Sequence, residues 1–147
     1  MSNSYAPQYR EERPRIFISY ARSDGKEFAD WLRRRLTEEY QFKVWQDIVD
    51  LEGGKTWWSQ IEEAIKSIEY LVLVMTPSAQ RSDKVTREWK LARQEGVCVL
   101  PMIAASGIDF DDMPLWMRHS HFICPSAPVK TMHLRCKTLV ATHLSPC

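Results

Sequence analysis

The sequence lacks an excess of charge of either sign, because its 147 residues carry 20 Lys and Arg against 19 Asp and Glu. Proteins that bind nucleic acid present a basic excess on at least one face, so this balance argues against such a partner. Long apolar runs are missing too, since the longest one in mid-chain, residues 71–75, is far shorter than the roughly 20 residues that cross a bilayer. The length nevertheless suits one domain with a substantial core.

Cysteine and glycine are scarce, at four and five residues. The cysteines are widely spaced without a Cys-x-x-Cys pair, and the four histidines lack the spacing of a metal site, so we expect no bound metal. No basic stretch leads into an apolar segment at the amino terminus, as it would in a secretory signal. These absences argue against the membrane, disulfide-rich secreted and disordered classes, and they predict a compact cytoplasmic domain.

What is present is an alternation of apolar strands with amphipathic helices. Short β-rich or wholly apolar runs predict five strands, at residues 15–20, 42–45, 70–75, 97–102 and 119–124. Apolar steps of three and four residues predict helices at 25–40, from Thr56, from Ser82 or Asp83 to Arg93, briefly before the fifth strand, and at 129–144. The chain therefore divides into a flexible lead-in at 1–13 and one domain at 14–147, with its core in 14–124.

This order predicts an α/β fold of the flavodoxin-like class, a three-layer sandwich in which helices cover both faces of a five-stranded parallel sheet. Ligands bind such sheets at the carboxyl ends of the strands, so candidate site residues should follow the predicted strands. Two local predictions accompany the fold. Asp24 with Glu27 forms a capping box that starts the first helix, and Trp31, Trp45 and Trp89 belong to the core.

Three functions common in this fold class can be compared with the residues after the strands. A phosphate-binding loop needs a glycine where the sequence has Val49, although Gly-Lys-Thr at 54–56 resembles the end of that motif. A phosphorylated receiver needs an acidic pair after the first strand, where residues 21–23 are Ala-Arg-Ser. Both are rejected. A flavin site needs a hydroxyl-rich phosphate loop with aromatic flanks after the first strand. Ser19, Tyr20 and Ser23 satisfy this only weakly, so the flavin site stays open as an alternative.

Five segments in the right order resemble the motifs of TIR (Toll/interleukin-1 receptor) domains of the bacterial NAD⁺-hydrolase type. They are FISYARSD at 17–24, DIVDLEGG at 47–54, IEYLVLVMTPS at 68–78, Ser82 together with Glu88, and VLPMI at 99–103. The resemblance covers about residues 14–124. TIR domains include non-catalytic interaction scaffolds and enzymes that cleave NAD⁺ at the nicotinamide–ribose bond, so both functions are implied, the enzyme first.

Glu88 matches the catalytic glutamate of the TIR enzymes, which lies early in the third helix of that family. The residues point to it independently. On a helical wheel Val85, Trp89 and Ala92 form an apolar face, and Glu88 falls inside that arc, where a carboxylate is costly unless a polar group meets it. Such an anion could stabilise the positive charge that develops on the ribose as nicotinamide leaves. The alternative is a structural ion pair on a half-exposed helix face.

The same resemblance implies the remaining contacts to NAD⁺, which is the substrate, so no cofactor is expected. Arg22 and Glu52 match positions that contact the dinucleotide, and Arg22 offers a bidentate donor to the pyrophosphate. The other predicted contacts are Tyr20, Ala21, Gly54 and Trp57, with the two aromatic rings as pocket walls. One departure from the family is Lys84, which stands where many bacterial enzymes carry Trp.

TIR enzymes self-associate to build a composite pocket, and the resemblance implies the same here. Arginines at 33–35 and acidic residues in 47–63 offer complementary patches for a head-to-tail contact, although charge runs are more often solvated faces. The expected partners are NAD⁺, a second copy and another TIR or sensor domain, with neither nucleic acid nor membrane. The expected role is a cytoplasmic effector in immune or antiviral defence signalling.

Overall fold

The computed structural model describes residues 14–46 and 55–119, with the backbone alone at 55–57. The strands are β1 (Arg15–Ser19), β2 (Lys43–Gln46), β3 (Tyr70–Met75) and β4 (Cys98–Ile103). The helices are α1 (Arg22–Glu38), α2 (Lys55–Lys66), α3 (Pro77–Arg81), α4 (Asp83–Gln94) and α5 (Leu115–Arg118). Strands and helices alternate along the chain, as the apolar periodicity predicts.

The four strands in the described ranges form one parallel sheet in the order β2-β1-β3-β4. The predicted fold class is confirmed, because this sheet is parallel and helices cover both of its faces. Of the predicted fifth strand at 119–124 only His119 is described, and it caps the end of α5. The rest of that strand, the predicted lead-in at 1–13 and the predicted closing helix at 129–144 lie outside the described residues.

Two apolar layers enclose the sheet. On one face, Ala29, Leu32 and Leu36 of α1 pack against Ile16 and Ile18 of β1. The other face is covered by buried residues of α2, α4 and α5, which are Ile61, Ile65, Val85, Ala92 and Met117. β3 is buried along all six residues, because a central parallel strand with helices on both sides has no exposed face. Each fully buried Leu or Ile contributes about 1.5–3 kcal/mol to the free energy of folding.

Within residues 14–46 and 55–119, no helix is long and apolar enough to span a membrane.

The prediction that Trp45 belongs to the core is wrong, because its side chain is 42% exposed. Trp45 lies on β2, an edge strand of the described sheet, whereas Trp31 and Trp89 are partly buried and pack against the two cores.

The start of α1 differs from its prediction. The helix begins at Arg22 after an extended Ala21, and no side chain caps it, so the expected capping box is wrong and Asp24 lies in the first turn. Its carboxylate instead accepts hydrogen bonds from the Thr76 hydroxyl at 2.6 Å and from the Ser78 amide at 3.0 Å. Asp24 therefore ties α1 to the turn after β3, at the carboxyl edge of the sheet.

The turn after β3 contains a short helix that the apolar pattern does not predict. Pro77 occupies the first turn of α3, and the Thr76 hydroxyl accepts a hydrogen bond from the Ala79 amide at 3.2 Å. A capping threonine followed by proline is a helix start signal, but a five-residue helix is too short to show periodicity. Thr76 is fully buried, so its hydroxyl depends on Asp24 and Ala79 for its hydrogen bonds.

Replacement of Asp24 by alanine is expected to lower the free energy of unfolding by about 1–3 kcal/mol, because the buried Thr76 hydroxyl loses its acceptor. Chemical denaturation of the wild type and of Asp24→Ala measures the difference. Glu27→Ala, at an exposed position one turn further along α1, is the matched control and should change stability by less than about 0.5 kcal/mol. Equal effects of the two variants would contradict the proposed tie.

Candidate active site

The carboxyl end of β1 brings a polar side chain to the α4 side of the sheet. Side chains alternate along the strand, so Ile16 and Ile18 face α1 while Phe17 packs in the core on the α4 side. Ser19, the last residue of β1, shares the face of Phe17 and is fully buried. A buried hydroxyl without a partner would be costly, so Ser19 needs a hydrogen bond on that face.

α4 supplies the partner. The helix begins at Asp83, and the Ser82 hydroxyl caps it by accepting a hydrogen bond from the Val85 amide at 3.2 Å, as predicted for Ser82 or Asp83. Its buried residues are Val85, Glu88 and Ala92. The prediction from the helical wheel that Glu88 lies within the apolar face of this helix is therefore confirmed.

The two carboxylate oxygens of the buried Glu88 side chain have different surroundings. The Ser19 hydroxyl donates a hydrogen bond of 2.5 Å to Oε2, and the two residues are both 0% exposed. Oε1 is buried and has no hydrogen-bond partner among the residues that the structure describes. The Nζ of Lys84, one turn earlier on α4, lies 4.0 Å from Oε1, which is beyond hydrogen-bond range. One oxygen is thus held, and the other is left for a further partner.

Burial raises the pKa of Glu88 to about 7, against the smaller lowering effects of the Ser19 hydrogen bond and the Lys84 charge. The pKa of Lys84 is lowered by burial, and the nearby Arg22 charge lowers it further against the opposing effect of Glu88. At neutral pH the carboxylate and the acid are therefore both populated. A carboxyl group tuned to this range, with an unsatisfied oxygen, is the electrostatic pattern of an active site.

The structure brings only part of the predicted site together. Arg22 opens α1 on the surface and is close enough to Lys84 to lower its pKa. Ala21 is buried in the core on the α4 side, whereas Tyr20 is 4% exposed and packs in the core under α1, on the other face of the sheet from Glu88. The predicted contacts of these residues with NAD⁺ remain predictions.

For three further residues that are predicted to contact NAD⁺, the structure does not describe the side chain. Glu52 and Gly54 lie outside the described residues, and so does the side chain of Trp57, whose backbone belongs to the first turn of α2. Ser19, by contrast, is not among the residues predicted to contact NAD⁺. Its signal was available in the alternation of β1, which places it opposite Tyr20 and toward α4, but the partner 69 positions away is not visible in the local pattern.

A cavity of about 230 Å³ lies beside the buried carboxylate rather than at it. It lies between α3, α4 and residues 112–117, and its walls include Met75, Val85, Trp89 and Met113. Glu88 does not line this cavity. No group of three or more possible metal ligands occurs among residues 14–46 and 55–119.

Solved structures share the fold of this chain. The TIR domain of a Toll-related receptor from Hydra magnipapillata has a TM-score of 0.67 at 16% identity, covering 88% of this chain and 98% of that one. A CMP N-glycosidase from Clostridium botulinum has a TM-score of 0.57 at 14% identity, covering 85% and 98%. The TIR domains of the RPS4–RRS1 heterodimer have a TM-score of 0.58 at 12% identity, covering 88% and 98%.

These identities are low enough that the structures establish the fold alone. No curated protein matches the sequence. The family model described as TIR domain matches residues 16–123, which is most of the chain and includes α4 and both partners of the Ser19–Glu88 hydrogen bond. The chain therefore belongs to the TIR domain family.

Proposed function

We propose that this TIR domain is an NAD⁺ hydrolase, which cleaves the bond between nicotinamide and ribose. The observation that carries the proposal is the state of Glu88, a buried carboxylate with one oxygen held by Ser19 and the other unsatisfied among the described residues. Buried ionisable groups cost stability unless they are partnered, and a substrate ribose would provide the missing partner. The fold similarity to an N-glycosidase supports the same class of bond cleavage.

The chemistry needs a single well-placed anion. The C1′–N bond breaks with its electron pair leaving on nicotinamide, which removes the positive charge of the pyridinium ring, and the ribose becomes oxocarbenium-like. Oε1 of Glu88 stabilises that charge or aligns the ribose hydroxyls. Water then adds to C1′ and loses a proton, so the products are nicotinamide, ADP-ribose and one proton. If a hydroxyl of the other ribose or a nitrogen of the adenine ring attacks C1′ instead of water, the product is a cyclic ADP-ribose.

The other predicted residues take supporting roles in this proposal. Ser19 is a positioning residue, because its hydroxyl holds Oε2 by a hydrogen bond and leaves Oε1 unsatisfied among the described residues. Arg22 binds the pyrophosphate through its guanidinium group. The remaining contacts to the dinucleotide are assigned to Tyr20, Ala21, Glu52, Gly54 and Trp57.

Assembly belongs to the same proposal. Glu88 is fully covered in this single chain, so the nicotinamide ribose reaches it only after neighbouring groups rearrange. Contacts between TIR domains would supply the free energy for that opening, and a heterodimer of TIR domains is among the structures with this fold. We further propose a role in immune or defence signalling in the cytoplasm, which is in line with the TIR family.

A non-catalytic interaction scaffold is the second candidate function. It is favoured by the complete burial of Glu88 and by a cavity that excludes it, because both are compatible with a structural role for the carboxyl group. In that case the TIR surface, with the arginines at 33–35 on α1, would serve association alone. The two candidate functions require the same fold, but only the hydrolase turns over NAD⁺.

An assay of the purified wild-type chain with NAD⁺, over a range of protein concentrations, separates the two functions. We expect nicotinamide and ADP-ribose to form at a rate per protein molecule that rises with protein concentration, because assembly opens the site. Chromatography of the products gives the rate, and light scattering on the same samples gives the state of association. Association without nicotinamide release would favour the scaffold and contradict the hydrolase.

A further inference from the structure

The cavity of about 230 Å³ beside α4 has no part in the chemistry proposed for Glu88, which does not line it. Its apolar walls are contributed by β3, by α4 and by the segment that leads into α5, and they include Leu73, Met75, Val85, Trp89, Met113 and Met117. Protein interiors are close-packed, and side chains around a void lose dispersion contacts. An occupant of this cavity would restore those contacts.

The loop before α5, which forms one wall of the cavity, is held at both ends by side chains. From α3, Gln80 Nε2 donates a hydrogen bond of 2.8 Å to the Asp109 carbonyl, and Gln80 Oε1 accepts one of 2.9 Å from the Asp109 amide. From α5, Arg118 Nε donates a hydrogen bond of 3.0 Å to the Met113 carbonyl, and Nη2 donates another to the Asp111 carbonyl. The wall is therefore in place without a ligand, and such a preformed site loses little conformational freedom on binding.

The size and the walls of the cavity favour an aromatic ring. An apolar cavity of about 150 Å³ is large enough for benzene, so a cavity of about 230 Å³ accommodates one such ring with a short substituent. Pockets for larger, drug-sized molecules have about 300–1,000 Å³, so a dinucleotide does not fit. Trp89 offers an aromatic partner, and the thioethers of Met75, Met113 and Met117 make favourable contacts with aromatic rings. The apolar part of the ligand is therefore a single aromatic ring.

Two side chains of opposite charge line the same cavity. Lys90 belongs to α4 and Asp112 to the loop before α5, and both residues are exposed. The Lys90 ammonium group lies 5.8 Å from the centre of the Trp89 ring, and these two described residues, Lys90 and Asp112, form no ion pair with each other. Because both line one small cavity, a single ligand can place an anionic group toward Lys90 and a cationic group toward Asp112. An aromatic ring with those two groups on a short substituent is an aromatic amino acid.

We propose that this cavity is a binding site for a free aromatic amino acid of the size of phenylalanine. The ring packs between Trp89 and the methionines, the carboxylate binds Lys90, and the α-ammonium group binds Asp112. Thr86 also lines the cavity, and its hydroxyl can donate a hydrogen bond to the same carboxylate. Binding breaks no covalent bond, and the inference goes beyond the proposed hydrolase without depending on it.

A nuclear magnetic resonance titration of the wild-type chain with L-phenylalanine tests the site. We expect saturable shifts at Trp89 and its neighbours, with a dissociation constant of about 1 mM or lower, which is in the range open to a ligand of this size. Two analogues separate the charges, because phenylpropionate lacks the ammonium group and phenylethylamine lacks the carboxylate. Glycine has no ring and should not bind.

Two charge variants test the orientation of the ligand. Lys90→Met should weaken the binding of phenylalanine and phenylpropionate about three- to fivefold, the contribution of one ion pair at an exposed position, without weakening that of phenylethylamine. Asp112→Asn should weaken phenylalanine and phenylethylamine to the same extent, without weakening phenylpropionate. Lys66→Met on α2 and Asp111→Asn are the matched controls, because both residues are exposed and neither lines the cavity.

A third variant tests the cavity itself. Thr86→Leu places a larger side chain in its wall and should weaken the binding of all three ring compounds about tenfold, whereas Thr37→Leu, the same change at an exposed position of α1, should not. Melting temperatures verify that each variant is folded. The inference would be overturned by the absence of saturable binding at about ten times the expected dissociation constant, by unchanged binding to Thr86→Leu, or by a charge variant that weakens all three compounds equally.

Discussion

Replacement of Glu88 by glutamine is expected to lower the rate of nicotinamide release from NAD⁺ by about 10³-fold, a typical cost of removing one preorganised electrostatic group from an active site. Glutamine has nearly the same shape, and its side-chain oxygen can still accept the hydrogen bond that the Ser19 hydroxyl donates to Oε2. It cannot provide a negative charge beside the ribose. The measurement is nicotinamide release at a protein concentration at which the wild type is active.

Glu95→Gln is the matched control for this variant. Glu95 caps the end of α4 and is exposed, so the same chemical change on the same helix should leave turnover within about twofold of the wild type. Circular dichroism and the melting temperature must show that Glu88→Gln is folded. A folded Glu88→Gln chain with wild-type turnover would contradict the assignment of Glu88.

The pH dependence of the wild type reports on the same group. Because the anion is the active form and burial raises the pKa of Glu88 to about 7, kcat/KM should rise about tenfold between pH 6 and pH 8 and then level off. A glutamate with an ordinary pKa would be ionised throughout this range and would give a flat profile. Lys84→Met should move the midpoint to higher pH, because Lys84 lowers the pKa of Glu88.

The features that could be predicted from the sequence depend on local pattern. The limits of β3 agree residue for residue with the apolar run at 70–75, and the start of α4 follows from Ser82 as a cap. The burial of Glu88 was predicted because a helical wheel fixes which side chains share a face. A helix with a regularly spaced apolar face and a favourable N-cap residue can therefore be predicted from its local sequence alone.

Features that depend on distant residues could not be predicted in this way. Asp24 has the signature of a helix cap, but its carboxylate accepts hydrogen bonds from Thr76 and Ser78, more than 50 positions away. Ser19 is ordinary in sequence and gains its role from Glu88. Trp45 is exposed because it lies on an edge strand. The order of the strands in the sheet, which determines the edge strands, is not contained in the local sequence around Trp45.

Glu88→Gln is also expected to stabilise the fold at neutral and alkaline pH. Burial raises the folded-state pKa of Glu88 from 4.5 to about 7, so the folded chain binds one proton more than the unfolded chain between these values. The wild type therefore loses stability as the pH rises from about 4.5 to 7, by about 3 kcal/mol at 1.36 kcal/mol per pKa unit. Glutamine does not titrate, so the advantage of Glu88→Gln over the wild type should grow by this amount between pH 4 and pH 8.

Thermal and chemical denaturation at the two pH values measure this effect, which corresponds to a relative gain of about 10 °C in melting temperature for a domain of this size. Glu95→Gln should show no such pH-dependent gain. The sign of the result distinguishes two roles of the carboxyl group. If Glu88 were held by Lys84 as a structural ion pair, removing its charge would destabilise the chain most at pH 8, because Lys84 would be left buried without its counter-ion. A variant that is more stable at pH 8 but inactive would show that the Glu88 charge costs stability in the free chain and is used in turnover.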